Sequence, residues 1–187
     1  MPQITTNDLK NGITLNLPDG LFNVVTFQHV KPGKGGAFVR TKLKNVRNGS
    51  VLDRTFRAGE KVEQAIVETR EMQYLYNDGD SFVFMDQETF EQLEVPASSL
   101  GDIPDYLLPE MTPALSFFGT EIVGADLPAS VELTITECEP GVQGNRVSGA
   151  TKPATLETGK TVKVPLFVNS GDKIKVDTRS GEYMTRV

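Results

Sequence analysis

One lysine on a loop of glycines is the residue most clearly placed to do chemistry in this sequence. Lys34 stands in the middle of Pro32-Gly33-Lys34-Gly35-Gly36, where no other long side chain projects. A lysine ammonium is a point charge with three donors on a flexible stem, and its end can be lengthened by covalent modification. An arbitrary surface lysine is usually just solvated. The bare loop suits a functional role, and a solvated surface lysine is the alternative.

Groups that normally perform enzyme chemistry have no suitable partners in the sequence. His29, the one histidine, has no serine or cysteine at a spacing that suggests a nucleophile and its base. Cys138, the one cysteine, ends an alternating run and is expected to pack at a strand end. Asp78 and Asp80 supply fewer oxygen donors than a calcium loop needs, and residues 33–36 lack the spacing of a P-loop. The sequence therefore predicts a protein that is not an enzyme and has no cofactor or metal.

Charge is strongly segregated along the chain. Residues 1–62 hold ten Lys/Arg and four Asp/Glu, residues 63–128 hold one and fourteen, and residues 129–187 hold eight and seven. The first segment, at +6, suits phosphate, whereas the middle segment, at −13, should point away from RNA or towards a basic protein. No apolar run approaches the roughly 20 residues that span a bilayer, and a lone cysteine fits a reducing compartment. We therefore expect a cytoplasmic protein with no membrane association.

Short runs punctuated by Gly, Pro, Asn and Asp predict an all-β fold. Residues 37–44 alternate in polarity, with Phe38, Arg40, Lys42 and Lys44 on one side of a strand. This predicts that residues 32–36 form the tip of a hairpin, and Asp78-Gly79 predicts a second hairpin. Further predicted elements are a short helix within 99–108, a hairpin at 115–124, and strands at 131–135, 162–168 and 173–177 around a polar loop at 140–151.

Three domains follow from these patterns. Four or five strands in residues 1–63 suit a small SH3-like barrel, while residues 64–128 and 129–187 each suit a five-stranded OB-type barrel. Because OB folds often bind single strands, an OB-fold RNA or single-strand nucleic-acid-binding protein is the alternative function. The aromatics that could stack bases lie in the most acidic segment and are expected to be core; they are Phe82, Phe84, Phe117 and Phe118.

Three separated motifs resemble bacterial translation elongation factor P over the whole chain. The motifs are Lys31–Gly35 with Ala37–Arg40, Tyr74–Gly79, and a C-terminal set comprising Lys152–Gly159, Val164–Phe167 and Ile174–Tyr183. The resemblance implies three β-barrels in an L-shaped, tRNA-like arrangement: an SH3-like, KOW-like barrel and two OB-fold barrels. It also implies a monomer that binds the 70S ribosome between the peptidyl-tRNA and exit sites and promotes peptide bond formation at consecutive prolines.

The same resemblance assigns roles to residues of the first barrel. Lys34, framed by Pro32, Gly33, Gly35 and Gly36, would lie beside the CCA end of an initiator or prolyl peptidyl-tRNA. Many family members extend this tip residue covalently, so a Lys34-modifying enzyme is an expected partner. The cations near the hairpin base would contact phosphates of tRNA or rRNA; they are Lys31, Arg40, Lys42 and Lys44.

The resemblance also implies contacts for the other two barrels. The acidic middle barrel would face a ribosomal stalk protein. The loop with Gly144, Asn145 and Arg146 would approach the small subunit and the exit-site codon, although many members have Asp-Thr where this chain has Asn145-Arg146. Tyr183 and Arg186 are candidates for contact with the tRNA elbow; the alternative is a packed tyrosine and an exposed arginine.

Overall fold

Alternating polarity along short runs produces strands nearly everywhere in this chain. A computed structural model describes residues 1–141 and 149–187, whose regular structure consists of sixteen β-strands and three short 3-10 helices. No α-helix occurs within these two ranges. The predicted all-β class is confirmed.

The first sheet contains the predicted Lys34 hairpin. Its strands are β1 (Gln3–Thr5), β2 (Thr14–Leu17), β3 (Gly20–Val30), β4 (Phe38–Asn45), β5 (Val51–Arg57) and β6 (Lys61–Ala65). They lie in the order β1-β6-β2-β3-β4-β5, so six strands stand where four or five were expected. Leu15, Val24, Val39 and Leu43 are each 0% exposed in its core. Burying a side chain of this size contributes roughly 1.5–3 kcal/mol.

The second sheet contains the two other predicted hairpins. Its strands are β7 (Glu68–Asn77), β8 (Ser81–Asp86), β9 (Gln92–Pro96), β10 (Ala114–Phe118) and β11 (Glu121–Asp126), in the order β11-β10-β7-β8-β9. The short helix predicted within 99–108 is present as a single 3-10 turn, Ile103–Asp105, and a second 3-10 turn, Ala97–Ser99, precedes it. Gly101 between them has φ +57°, which interrupts a right-handed helix.

The third sheet holds the C-terminal segment. Its strands are β12 (Ser130–Cys138), β13 (Thr151–Leu156), β14 (Thr161–Pro165), β15 (Lys173–Asp177) and β16 (Tyr183–Arg186), in the order β14-β13-β12-β15-β16. Strands β13 and β16 were not predicted. Cys138 is half-buried, packs against the core, and its Sγ lies 3.8 Å from the carbonyl oxygen of Val168. Its expected packing role at a strand end is confirmed.

The chain groups into two compact units. The first comprises Met1–Thr69 and Ser116–Gly124, and the second comprises Arg70–Leu115 and Ala125–Val187. Domain boundaries after residues 63 and 128 stay a prediction.

Within the first unit, the first sheet packs against residues of the β10–β11 hairpin. Leu21, Ala65 and Val123 form a buried cluster, and the Arg47 guanidinium lies 2.7 Å from the Glu121 carboxylate. Both charged side chains are more than half exposed, so this ion pair adds at most about 1 kcal/mol. Apolar burial is the main stabilising term at this contact.

Within the second unit, residues 103–108 pack on the third sheet. Tyr106 belongs to the core cluster of that sheet. The Thr158 hydroxyl donates to the Asp105 carbonyl at 2.6 Å, and the Lys160 ammonium lies 3.1 Å from the Asp105 carboxylate. This segment and the third sheet therefore share one packed interior.

Candidate functional site

The β3–β4 hairpin presents Lys34 on a loop without other long side chains at its tip. Strand pairing runs to Val30 and Phe38, and the Ala37 carbonyl accepts a hydrogen bond from the Ala58 N–H at 3.0 Å. Residues 31–36 beyond that point are all exposed. Lys34 is the fourth residue after Val30, so its Cα can reach at most about 13 Å beyond the paired strands.

Glycines give this loop its shape and leave it bare. Gly35 has φ +109°, a conformation that residues with a Cβ rarely adopt. At Gly33 and Gly36 an added Cβ would meet no atom within 4 Å. Packing therefore does not require glycine at these two positions, and its effect there is to keep side chains away from Lys34.

A row of cations runs along the exposed face of β4 below this loop. Arg40, Lys42 and Lys44, here called the basic row, are exposed and alternate with buried Val39, Thr41 and Leu43. The predicted division of the strand into a charged and a buried face is confirmed. Successive members lie roughly 6.5–7 Å apart along the strand.

The basic row is available for an external anion. Within residues 1–141 and 149–187, no carboxylate forms an ion pair with Lys31, Lys34 or any member of the basic row. The Arg40 guanidinium stacks over the Phe38 ring at 5.5 Å, which limits its freedom. Arg54, by contrast, donates to Asp19 at 2.8 Å, and this hydrogen bond lowers the pKa of Asp19. Arg54 is thereby already neutralised.

Two further charges on the same face were missed from the sequence. In the β4–β5 register Asp53 stands opposite Lys42 and Arg57 stands opposite Phe38. A groove of about 710 Å³ runs over this face, lined by Thr26, Gln28, Arg40, Lys42, Asp53 and Thr55 among others. Only the pairing of β5 with β4 brings these two charges beside the basic row, and the pattern of residues 51–57 alone does not give that pairing.

Tyr183 and Arg186, the residues suggested for the tRNA elbow, both lie on β16 in the second unit. Tyr183 is half-buried and packs against the core of the third sheet. Arg186 is held over the Phe167 ring at 5.5 Å and lies 3.7 Å from the Asp172 carboxylate. The remaining predicted contact residues, Gly144, Asn145 and Arg146, lie outside the described residues.

The features that would favour other functions are weak. His29 packs edge-on against Phe27 with ring centroids 5.6 Å apart. No group of metal-binding side chains occurs in the part of the chain that the structure describes, nor does any helix there have the length and apolarity to cross a membrane. Phe82, Phe84 and Phe117 are buried and Phe118 is half-buried, as predicted. They are not a platform on which bases could stack.

Family models match the chain in three consecutive parts. They are the elongation factor P KOW-like domain over residues 5–62, the elongation factor P OB domain over 67–125, and the elongation factor P C-terminal domain over 131–186. An elongation factor P from Acidothermus cellulolyticus is 59% identical, with 97% of each chain aligned. One from Streptomyces coelicolor is 57% identical, with 98% of each chain aligned.

Solved structures agree with these matches. An initiation factor 5A from Methanococcus jannaschii aligns with 67% of this chain and 90% of its own, at 28% identity and a TM-score of 0.50. A KOW-like domain followed by an OB domain, together with this likeness, defines a translation factor, a class outside the ordinary enzyme families. The chain belongs to the elongation factor P family.

Proposed function

We propose that this translation factor binds the 70S ribosome between the peptidyl-tRNA and exit sites and promotes peptide bond formation at consecutive prolines. Family membership supports the ribosomal role. The observation that carries the mechanism is the exposed Lys34 ammonium at the bare tip of the hairpin. The factor forms and breaks no bond itself, because the ribosome supplies the catalytic centre.

Lys34 acts by orienting the peptidyl ester. Proline restricts the backbone of the peptide, and as an acceptor it presents a hindered secondary amine. In the proposal, Lys34 lies beside the CCA end of an initiator or prolyl peptidyl-tRNA, where its three donors hold the ester in line for attack. Correct orientation of the reactants can lower the activation barrier by about 7 kcal/mol in favourable cases. A covalent extension added to Lys34 by a modifying enzyme would lengthen this reach.

The basic row and Lys31 supply the electrostatic part of binding. They would neutralise phosphates of tRNA or rRNA, contacts that fix position without reading sequence. The acidic middle segment would face a ribosomal stalk protein. Residues 144–146 would approach the small subunit, and Tyr183 with Arg186 would approach the tRNA elbow. We propose that the factor works in the cytoplasm as a monomer.

A reconstituted translation assay tests this function. Lys34→Ala removes the ammonium from an exposed loop, so folding should be unchanged while synthesis of a Pro-Pro-Pro peptide slows. Lys10→Ala is the matched control, since Lys10 is an exposed lysine directly before a turn in the same unit. Unchanged proline synthesis with Lys34→Ala, or an equal loss with Lys10→Ala, would contradict the mechanism. The intact mass of natively purified protein shows whether Lys34 is modified.

A further inference from the structure

Lys152 is a lysine on the buried side of a strand, and the proposed function makes no use of it. On β13 the buried residues are Lys152, Ala154 and Leu156, and Lys152 is only 5% exposed. It stands opposite Val164, which is 0% exposed. Removing an ammonium from water is costly, and apolar residues of similar volume are often at least as stable at such positions. Fold stability alone is therefore a poor reason for a lysine here.

The Lys152 ammonium is directed at the backbone where the chain leaves β12. Its Nζ donates to the Glu139 carbonyl oxygen at 2.7 Å, and Glu139 is the first residue after that strand. Among the described residues, no carboxylate lies within ion-pair distance of Lys152. A hydrogen bond from a charged donor is roughly twice as strong as a neutral one. The buried charge is thus used to hold one peptide group.

Two neighbours of Glu139 are also held, each by a different part of the sheet. Cys138 Sγ lies 3.8 Å from the Val168 carbonyl oxygen. A Cβ placed on Gly141 would lie 2.5 Å from the Leu166 carbonyl oxygen, closer than real side chains approach. The Gly141 backbone therefore lies directly against that carbonyl. Three of the four residues 138–141 are fixed independently.

We propose that Lys152 is a positioning residue that fixes the stem of the β12–β13 connection. The stem is defined as residues 138–141 and 149–151, and Thr151 is itself fixed by pairing with Pro165 on β14. Lys152 acts through the Glu139 carbonyl and touches no RNA itself. The inference rests on the proposed function, in which residues 144–146 of this connection face the small subunit. A fixed stem sets the place from which those residues are presented.

Amide hydrogen exchange on the free protein tests the stem directly. Lys152→Met keeps the length and volume of the side chain and removes its donors. The amides of Cys138 and Thr151, the stem residues that lie on paired strands, should exchange at least about tenfold faster. Tenfold is about the lower bound for losing one hydrogen bond from a charged donor. Amides of Leu133 and Ile174 in the sheet core should be unchanged. Lys152→Arg, which keeps a charged donor, should restore slow exchange.

Lys163→Met is the matched control. Lys163 is exposed on β14 opposite Pro153, so this variant removes the same charge from the same sheet without touching the stem. Unchanged stem exchange in Lys152→Met would overturn the proposal, as would acceleration across the whole sheet, which indicates a merely structural role. If Lys152→Met does not fold, Lys152→Leu, which also lacks donors, replaces it, with the same outcomes deciding.

Translation then separates this inference from the function on which it rests. Lys152→Met should partly lose Pro-Pro-Pro synthesis, whereas Lys163→Met should retain it. A loosened stem with full synthesis would overturn the positioning role. The exchange experiment needs no ribosome, so a failure of Lys34→Ala to slow synthesis would refute the proposed function and leave the stem result standing.

Discussion

Removing the basic row should weaken ribosome binding in a way that depends on salt. Arg40, Lys42 and Lys44 are exposed on one face of β4, and in the described part of the chain no carboxylate forms an ion pair with them. Replacing all three with Gln leaves the buried face of the strand intact. The variant should therefore fold normally and lose up to three phosphate contacts.

The size of the effect follows from counterion release. Each phosphate contact contributes about 0.9 to the slope of log affinity against log salt on duplex nucleic acid, so three contribute about 2.7. Between about 50 and 200 mM salt, a fourfold change, one contact is worth about 3.5-fold in affinity and three about 40-fold. The wild type should lose about 40-fold more affinity than the triple variant over this range.

The assay is equilibrium binding of labelled factor to 70S ribosomes carrying peptidyl-tRNA, titrated with salt. The control variant combines Arg47→Gln, Arg54→Gln and Lys61→Gln, which changes the net charge by the same amount in the same unit. Arg47 and Arg54 already pair with Glu121 and Asp19, so its slope should stay near the wild-type value. A triple basic-row variant with the wild-type slope would refute the assignment of phosphate contacts, and so would an equal change in the control.

Two further predictions concern stability. Lys160→Met should lower the melting temperature. The Lys160 ammonium lies 3.1 Å from the Asp105 carboxylate and 5.0 Å from the Tyr106 ring. After discounting for solvent exposure, the two contacts together stabilise the fold by about 1 kcal/mol, which corresponds to a decrease of about 2–4 °C. Burial acts to lower the pKa of Lys160, but hydrogen bonding to Asp105 and Tyr106 outweighs burial and raises the pKa above 10.5. The stabilisation by Lys160 is therefore complete below pH 10.5 and is lost as the pH rises through the higher folded-state pKa. In thermal melts above that pH, the wild type and Lys160→Met should have the same melting temperature. Backbone N–H donors of residues 88 and 89 lower the pKa of Asp86 below 3.8, so its contribution is present above pH 3.8 and lost as pH falls through the lower folded-state value. Asp86→Asn keeps the side-chain oxygen that accepts these two N–H groups but cannot be protonated in this range. In acid, the melting temperature of Asp86→Asn should therefore depend less on pH than that of the wild type.

The strands with one exposed and one buried face could be predicted from the sequence. The β4 pattern of Phe38, Arg40, Lys42 and Lys44 against three buried residues is a period of two that only a strand explains. Strand β13 was missed because a lysine and a proline interrupt its pattern. Lys152 counts as polar in a hydropathy pattern although the fold buries it.

The candidate site likewise contains one residue that could be predicted from the sequence and others that could not. Lys34 could be predicted because glycines around a lone cation are a local signal, readable without the fold. Asp53 and Lys152 could not, since their meaning depends on partners in the register: Asp53 stands opposite Lys42, and Lys152 opposite Val164. A residue whose environment is set by a neighbouring strand gives no signal in its own segment.

The proposed RNA-binding surface consists of the basic row and Lys34, and the backbone is more firmly fixed at the basic row than at Lys34. This difference separates their roles. The basic row lies on a strand paired on both sides, to β3 and to β5, so the backbone that carries its charges is fixed before binding and the row can contribute directly to affinity. Lys34 lies on an exposed loop beyond the last strand pair, and ordering it on the ribosome costs conformational entropy. Its contribution to affinity should therefore be small, and its effect should fall on the rate of synthesis. The basic-row variant should fail at binding, and Lys34→Ala should fail after binding.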